Sequence, residues 1–224
     1  MYLYIIKKKP QEKIDLWQKT KNEYKDIDPL FLESLDSYIE ASGKKNGGER
    51  QLTSALLLIS LSHLYSLGEV LKMPKTLKKD DHGKPYFEDS DIGFNIAHSD
   101  SLVLIAYGKN EKIGVDTEGE IEEKRAENLK LRFPQIASLK AEKHSRKIEA
   151  YEVGQKGEIT ALDLDFSEKG FTTKWTMAEA LMKCDGRGFS ALSSLENLAE
   201  EMEIYPLVYT TENTKNYISI AMKR

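Results

Sequence analysis

The chain has 224 residues, 40% of them hydrophobic and 31% charged, with a formal net charge of −4. That length buries a sizeable core, and the acidic balance excludes a general nucleic-acid binder. A single cysteine, Cys184, excludes an internal disulfide and a thiolate metal site, and no apolar run reaches bilayer length, so a cytoplasmic protein without a membrane span is expected.

The opening MYLYIIKKK reads as a strand, rich in Tyr and Ile. An Asp-Pro start with Leu30, Phe31, Leu35 and Ile39 predicts a helix from Asp28 to Ser42, which SGKKNGG should break. Next, ERQLTSALLLISLSHLYSLG is apolar nearly all round, which predicts a central core helix ending at Gly68. A loop with short extended pieces follows, turning at Asp-His-Gly-Lys-Pro. FNIAHSDSLVLIAYG and KIGVDTE read as two β-rich runs joined by a GKNE hairpin turn. Residues 120–152 are charged and helix-prone, with an interruption at Pro134, and the segment around KGEITALDLDFSEKGF alternates as a hairpin or an insertion. WTMAEALMKCDGRG predicts a helix stopped by its glycines, and the tail has two strand-like runs around TENTKN. Helix plus β-hairpin in each half predicts an α+β fold of two subdomains, residues 1–109 and 110–224.

Two spacings carry chemistry. Asp116 and Glu118 are two apart on a predicted strand, so both project to one face with Cα atoms about 6 to 7 Å apart. Glu179 and Lys183 are four apart on a predicted helix and share a face. Each feature alone also fits an ordinary solvated surface, as His98 alone fits a hydrogen-bonded structural histidine. Together, three carboxylates without a His or Cys cluster suit a hard cation such as Mg²⁺, with Lys183 and His98 available to phosphates. That set points to phosphate-ester chemistry at a diphosphate.

In order, GKPYF, FNIAHSD, IGVDTE and WTMAEALMKCDGRGFS resemble the motifs of the larger single-chain 4′-phosphopantetheinyl transferases, the surfactin-synthetase-activating type. The matched motifs span Gly83 to Ser190, about half the chain. The resemblance implies a pseudo-twofold pair of α+β subdomains with coenzyme A in the cleft between them. It implies transfer of the phosphopantetheine arm of coenzyme A to a serine of an apo acyl or peptidyl carrier protein, with release of adenosine 3′,5′-bisphosphate. Asp116, Glu118 and Glu179 would be magnesium ligands, with Glu179 alternatively the base for the serine proton. Lys183 would contact the phosphates and protonate the leaving group. His98 and Arg50 would hold the 3′-phosphate, assisted by Lys44 and Lys45, and Lys84 with Pro85 would flank the adenine. A monomer is expected, with neither nucleic acid nor membrane as partner.

Three positions depart from the family pattern. Ala178 stands where lysine is usual, Ala97 replaces a serine, and the stretch between Glu118 and Glu179 is longer than in typical relatives. Ala178 motivates an alternative, a catalytically idle relative that binds coenzyme A or a carrier protein. An unrelated Mg-dependent nucleotide phosphotransferase is disfavoured by the lack of a Walker-type glycine loop.

Overall fold

A computed structural model describes residues 1–8, 16–41, 43–109, 111–140, 146–167 and 169–223, with the backbone alone for 43–47. The elements in chain order are β1 (Tyr2–Lys7), α1 (Leu16–Glu23), α2 (Pro29–Glu40), α3 (Gly43–Ser66), β2 (Leu77–Lys79), β3 (Pro85–Phe87), β4 (Ile92–His98), β5 (Leu102–Lys109) and β6 (Ile113–Gly119). Then come α4 (Glu123–Arg132), α5 (Pro134–Ser138), β7 (Glu149–Val153), β8 (Ile159–Leu162), β9 (Asp165–Phe166), α6 (Phe171–Asp185), a 3₁₀ helix (Gly188–Ser194), α7 (Leu195–Glu201), β10 (Met202–Thr210) and β11 (Lys215–Lys223). The fold is α+β, built on a five-stranded sheet in the order β4-β5-β1-β7-β8 and a four-stranded sheet in the order β6-β11-β10-β9.

Strand alternation divides the core into layers. Along β1, Tyr4 and Ile6 pack with Leu56, Leu57 and Phe31 of the N-terminal helices, whereas Leu3 and Ile5 face the second sheet at Val115, Ile218 and Ile220. The outer face of the second sheet is covered by α6 and, around it, α4, α5 and α7. The order is therefore helices, sheet, sheet, helices, with β1, β5, β10 and β11 buried on both faces while the edge strands β8 and β9 stay largely exposed.

Local chemistry sets the helix ends. The Asp28 carboxylate accepts from the Leu30 N–H at 3.0 Å and Pro29 stands in the first turn, so α2 starts where expected. Gly186, with φ +95, closes α6 in the left-handed conformation that favours glycine. Pro134 ends the reach of α4 and opens the short α5.

Three expectations differ from the fold. The helix expected from Glu49 begins at Gly43, so most of SGKKNGG is helical: tertiary packing of the following apolar turns outweighs the propensity of the glycines. GKNE does not join a hairpin. FNIAHSDSLVLIAYG is itself the β4–β5 hairpin, turning at Ser99–Ser101, and β6 crosses to the other sheet to pair with β11. The segment before α6 contributes β7 and β8, which lie beside β1 in the first sheet, β7 parallel to it. Residues 149–162 thus share a sheet with strands from before residue 109.

Candidate active site

β6 is the edge strand of its sheet, and its outer face carries Gly114, Asp116 and Glu118 in alternation. α6 lies against that face at Gly114, where a Cβ would stand 2.1 Å from the Ala180 carbonyl oxygen and 2.4 Å from the Cys184 nitrogen. Only glycine permits this approach. The close packing brings the helix face bearing Glu179 and Lys183 over the two strand acids. The Lys183 ammonium donates to Asp116 Oδ1 at 2.8 Å and to the Val115 carbonyl at 3.1 Å.

The carboxylates sense one another. Glu179 is pushed up to about 7, first by burial, then by the Asp116 charge, with the Lys183 ammonium acting in the opposite direction and a hydrogen bond to Asp116 and the Glu118 charge adding to the rise. Glu118 is also raised, by burial, with Arg125 opposing and Asp116 and Asp100 reinforcing. Asp116 is only 5% exposed, so its charge is met by the Lys183 ammonium rather than by water. Among the described residues no three His, Cys, Asp or Glu side chains stand gathered around one point as a finished metal cage. The three acids offer only oxygen donors, the type a hard cation takes, but the Lys183 ammonium occupies Asp116 Oδ1 and a metal bound there would have to displace it.

The other expected residues fall into two groups around this centre. Lys84, Pro85 and Lys183 line a cleft of about 420 Å³ between the turn before β3, β4 and the C-terminal end of α6. His98, at the end of β4, lies within electrostatic reach of Lys183 and Asp116; burial lowers its imidazolium, and Glu49 opposes the effect. Arg50 stands farther off, donating to the Tyr38 carbonyl at 2.8 Å with its guanidinium 4.8 Å from the Tyr38 ring centroid. It connects to His98 through Glu49, whose Oε1 is 3.4 Å from His98 Nδ1. The Lys44 and Lys45 side chains lie outside the described residues.

Several site residues carry no signal in the sequence. The Lys8 ammonium bonds Glu49 and also donates to the Ser99 carbonyl at 2.8 Å, so the end of β1, the start of α3 and the β4–β5 turn are joined there. Burial works to raise the Glu49 carboxyl, but Lys8, His98 and Arg50 outweigh it and hold the group below its ordinary value. Asn95 lies in the quoted FNIAHSD stretch, yet only the fold reveals its side chain bonding the Val115 N–H at 2.9 Å. Ala178 is fully buried in the apolar cluster of α6, α4 and α7, so alanine suits the packing there.

No family model matches the chain. It is similar to a curated protein of Haemophilus influenzae named "Putative 4′-phosphopantetheinyl transferase", with 28% identity over 186 residues that make up 79% of this chain and 72% of the relative. The aligned length is most of both proteins.

Proposed function

We propose that this protein transfers the 4′-phosphopantetheine arm of coenzyme A to a serine of an apo acyl or peptidyl carrier protein, releasing adenosine 3′,5′-bisphosphate, as an enzyme of the larger single-chain type. The observation that carries the reading is the convergence of Asp116 and Glu118 from β6 with Glu179 and Lys183 from α6 beside an open cleft. The similarity to a protein named as a phosphopantetheinyl transferase supports it.

In this reading Asp116, Glu118 and Glu179 would hold Mg²⁺, which supplies positive charge to the coenzyme A diphosphate and to the charge developing on its leaving oxygen. Where Glu179 acts as the base instead of the third ligand, it accepts the proton of the serine hydroxyl as that oxygen bonds to the pantetheine-bearing phosphorus and the P–O bond to the adenosine half breaks. Lys183 serves the phosphates from the same face of α6. His98 and Arg50 hold the 3′-phosphate, and Lys84 with Pro85 flanks the base. The protein works as a cytoplasmic monomer.

Ala178 is buried in an apolar cluster, where alanine serves the packing, so its presence in place of lysine does not favour an idle coenzyme A-binding relative. Retained mutual repulsion among three acids also favours a working site, since a binding module gains nothing from it. The test is incubation with coenzyme A, Mg²⁺ and a set of apo carrier proteins, followed by mass spectrometry. A gain equal to the phosphopantetheine arm on a serine supports the proposal; coenzyme A binding without a gain on any carrier refutes it.

A further inference from the structure

Alternate residues of a strand turn their backbone groups to opposite edges, and β11 covers only one edge of β6. On the other edge, three side chains from three separate elements take the place of a neighbouring strand. Lys84, in the turn before β3, donates to the Ile113 carbonyl at 2.9 Å. Asn95, on β4, accepts from the Val115 N–H at 2.9 Å through Oδ1. Lys183, on α6, donates to the Val115 carbonyl at 3.1 Å. Lys84 does more: the same ammonium donates to the Lys183 carbonyl at 3.0 Å, so one half-buried cation is bonded to both the acid-bearing strand and the helix that faces it.

We propose that Lys84 and Asn95 are positioning residues: Lys84 clamps β6 to the C-terminal end of α6, Asn95 fixes the strand edge to β4, and together they set Asp116 against Glu179 and Lys183. The arrangement is a costly one, which argues for a purpose. Burial disfavours the Lys84 ammonium more than any other influence on it, and neutral carbonyls recover only part of its lost hydration. Asn95, 5% exposed on the edge strand of the first sheet, supplies the cross-sheet acceptor without introducing another charge beside the acids. The stem of Lys84 still lines the 420 Å³ cleft, so it can flank a ligand while its charged end acts through the frame. The catalytic consequence rests on the proposed transferase reading; the structural one does not.

The test uses the intact protein with Lys84→Met, Lys84→Arg and Asn95→Leu. Mn²⁺ affinity is titrated by electron paramagnetic resonance in the presence of coenzyme A, coenzyme A affinity by calorimetry, and Val115 amide exchange by NMR. Lys84→Met is expected to weaken Mn²⁺ binding about 10- to 100-fold and to lower kcat, with coenzyme A affinity changed far less and part of the loss restored in Lys84→Arg. Asn95→Leu is expected to speed Val115 exchange about 5- to 10-fold while the β10–β11 amides keep their protection. Lys84→Met weakening coenzyme A as much as Mn²⁺ would overturn the clamp in favour of a direct ligand contact. Unaltered Val115 exchange in Asn95→Leu would overturn the edge role. If the parent protein transfers nothing to any carrier, the Mn²⁺, coenzyme A and Val115 measurements still decide both roles, and if Lys84→Met does not fold, Lys84→Arg carries the same Mn²⁺ and coenzyme A comparison, so a failed clamp is distinguishable from a failed transferase.

Discussion

Gly114→Ala is a direct test of how the site is assembled. The added Cβ would meet the Ala180 carbonyl oxygen at 2.1 Å and the Cys184 nitrogen at 2.4 Å, where ordinary contact begins at 3.4 Å. Both neighbours are helix backbone, so no side chain can turn away, and α6 must move outward by about 1 Å. Overpacking of this kind costs about 1 to 3 kcal/mol, which for a chain of this length lowers Tm by about 2 to 4 °C per kcal/mol. The larger effect falls on geometry, because the 2.8 Å contact between Lys183 and Asp116 spans the gap that opens. A displacement near 1 Å at a reacting centre costs about 100-fold in rate, so transfer should fall far more than stability. The assay pairs a thermal melt with transfer rate at saturating coenzyme A. A variant with unchanged Tm and unchanged rate would refute the close approach of β6 and α6.

Other outcomes follow from individual side chains. In chelator, Glu179, whose value rises from 4.5 to about 7 on folding, binds more protons folded than unfolded between those values. Stability should therefore fall as pH rises through that window, by at most about 3 kcal/mol and less with solvent screening; Glu179→Gln should remove the fall and be the more stable protein at pH 8, and a pH-independent difference in chemical denaturation would contradict this. Asp116→Ala should leave the fold intact by circular dichroism while cutting metal-dependent transfer by about two orders of magnitude or more, and unchanged turnover would reject the ligand role. His98→Ala should weaken coenzyme A binding by about 10-fold or more but leave 3′-dephospho-coenzyme A unaffected; equal losses for both ligands in calorimetry would separate His98 from the 3′-phosphate.

Element identity was legible wherever period and capping agreed. The alternation of MYLYIIKKK, the Asp28-Pro29 start of α2 and the glycine stop of α6 are local features, and local physics decides them. The i, i+2 acids and the i, i+4 Glu-Lys pair were legible for the same reason, since each spacing fixes a shared face once the element type is known. Strand pairing was not legible. Whether β6 continues a hairpin with β5 or crosses to β11 is decided by which sheet buries Ile113 and Val115, and nothing in KIGVDTE distinguishes the two partners. The destination of β7 beside β1 was hidden in the same way, behind a charged stretch that reads as helix-prone.

By itself, then, the sequence determined which side chains could do phosphate chemistry and on which faces they stand, because backbone period is a property of neighbouring residues. Only the tertiary structure decided that the face of β6 meets the face of α6, that Ala178 points into an apolar cluster, and that Lys84 and Asn95 occupy an edge that no strand among the described residues covers. Those relations join residues as much as 99 positions apart, and they arise from the burial of both sheets between two helical layers, a condition that no short stretch of chain can express.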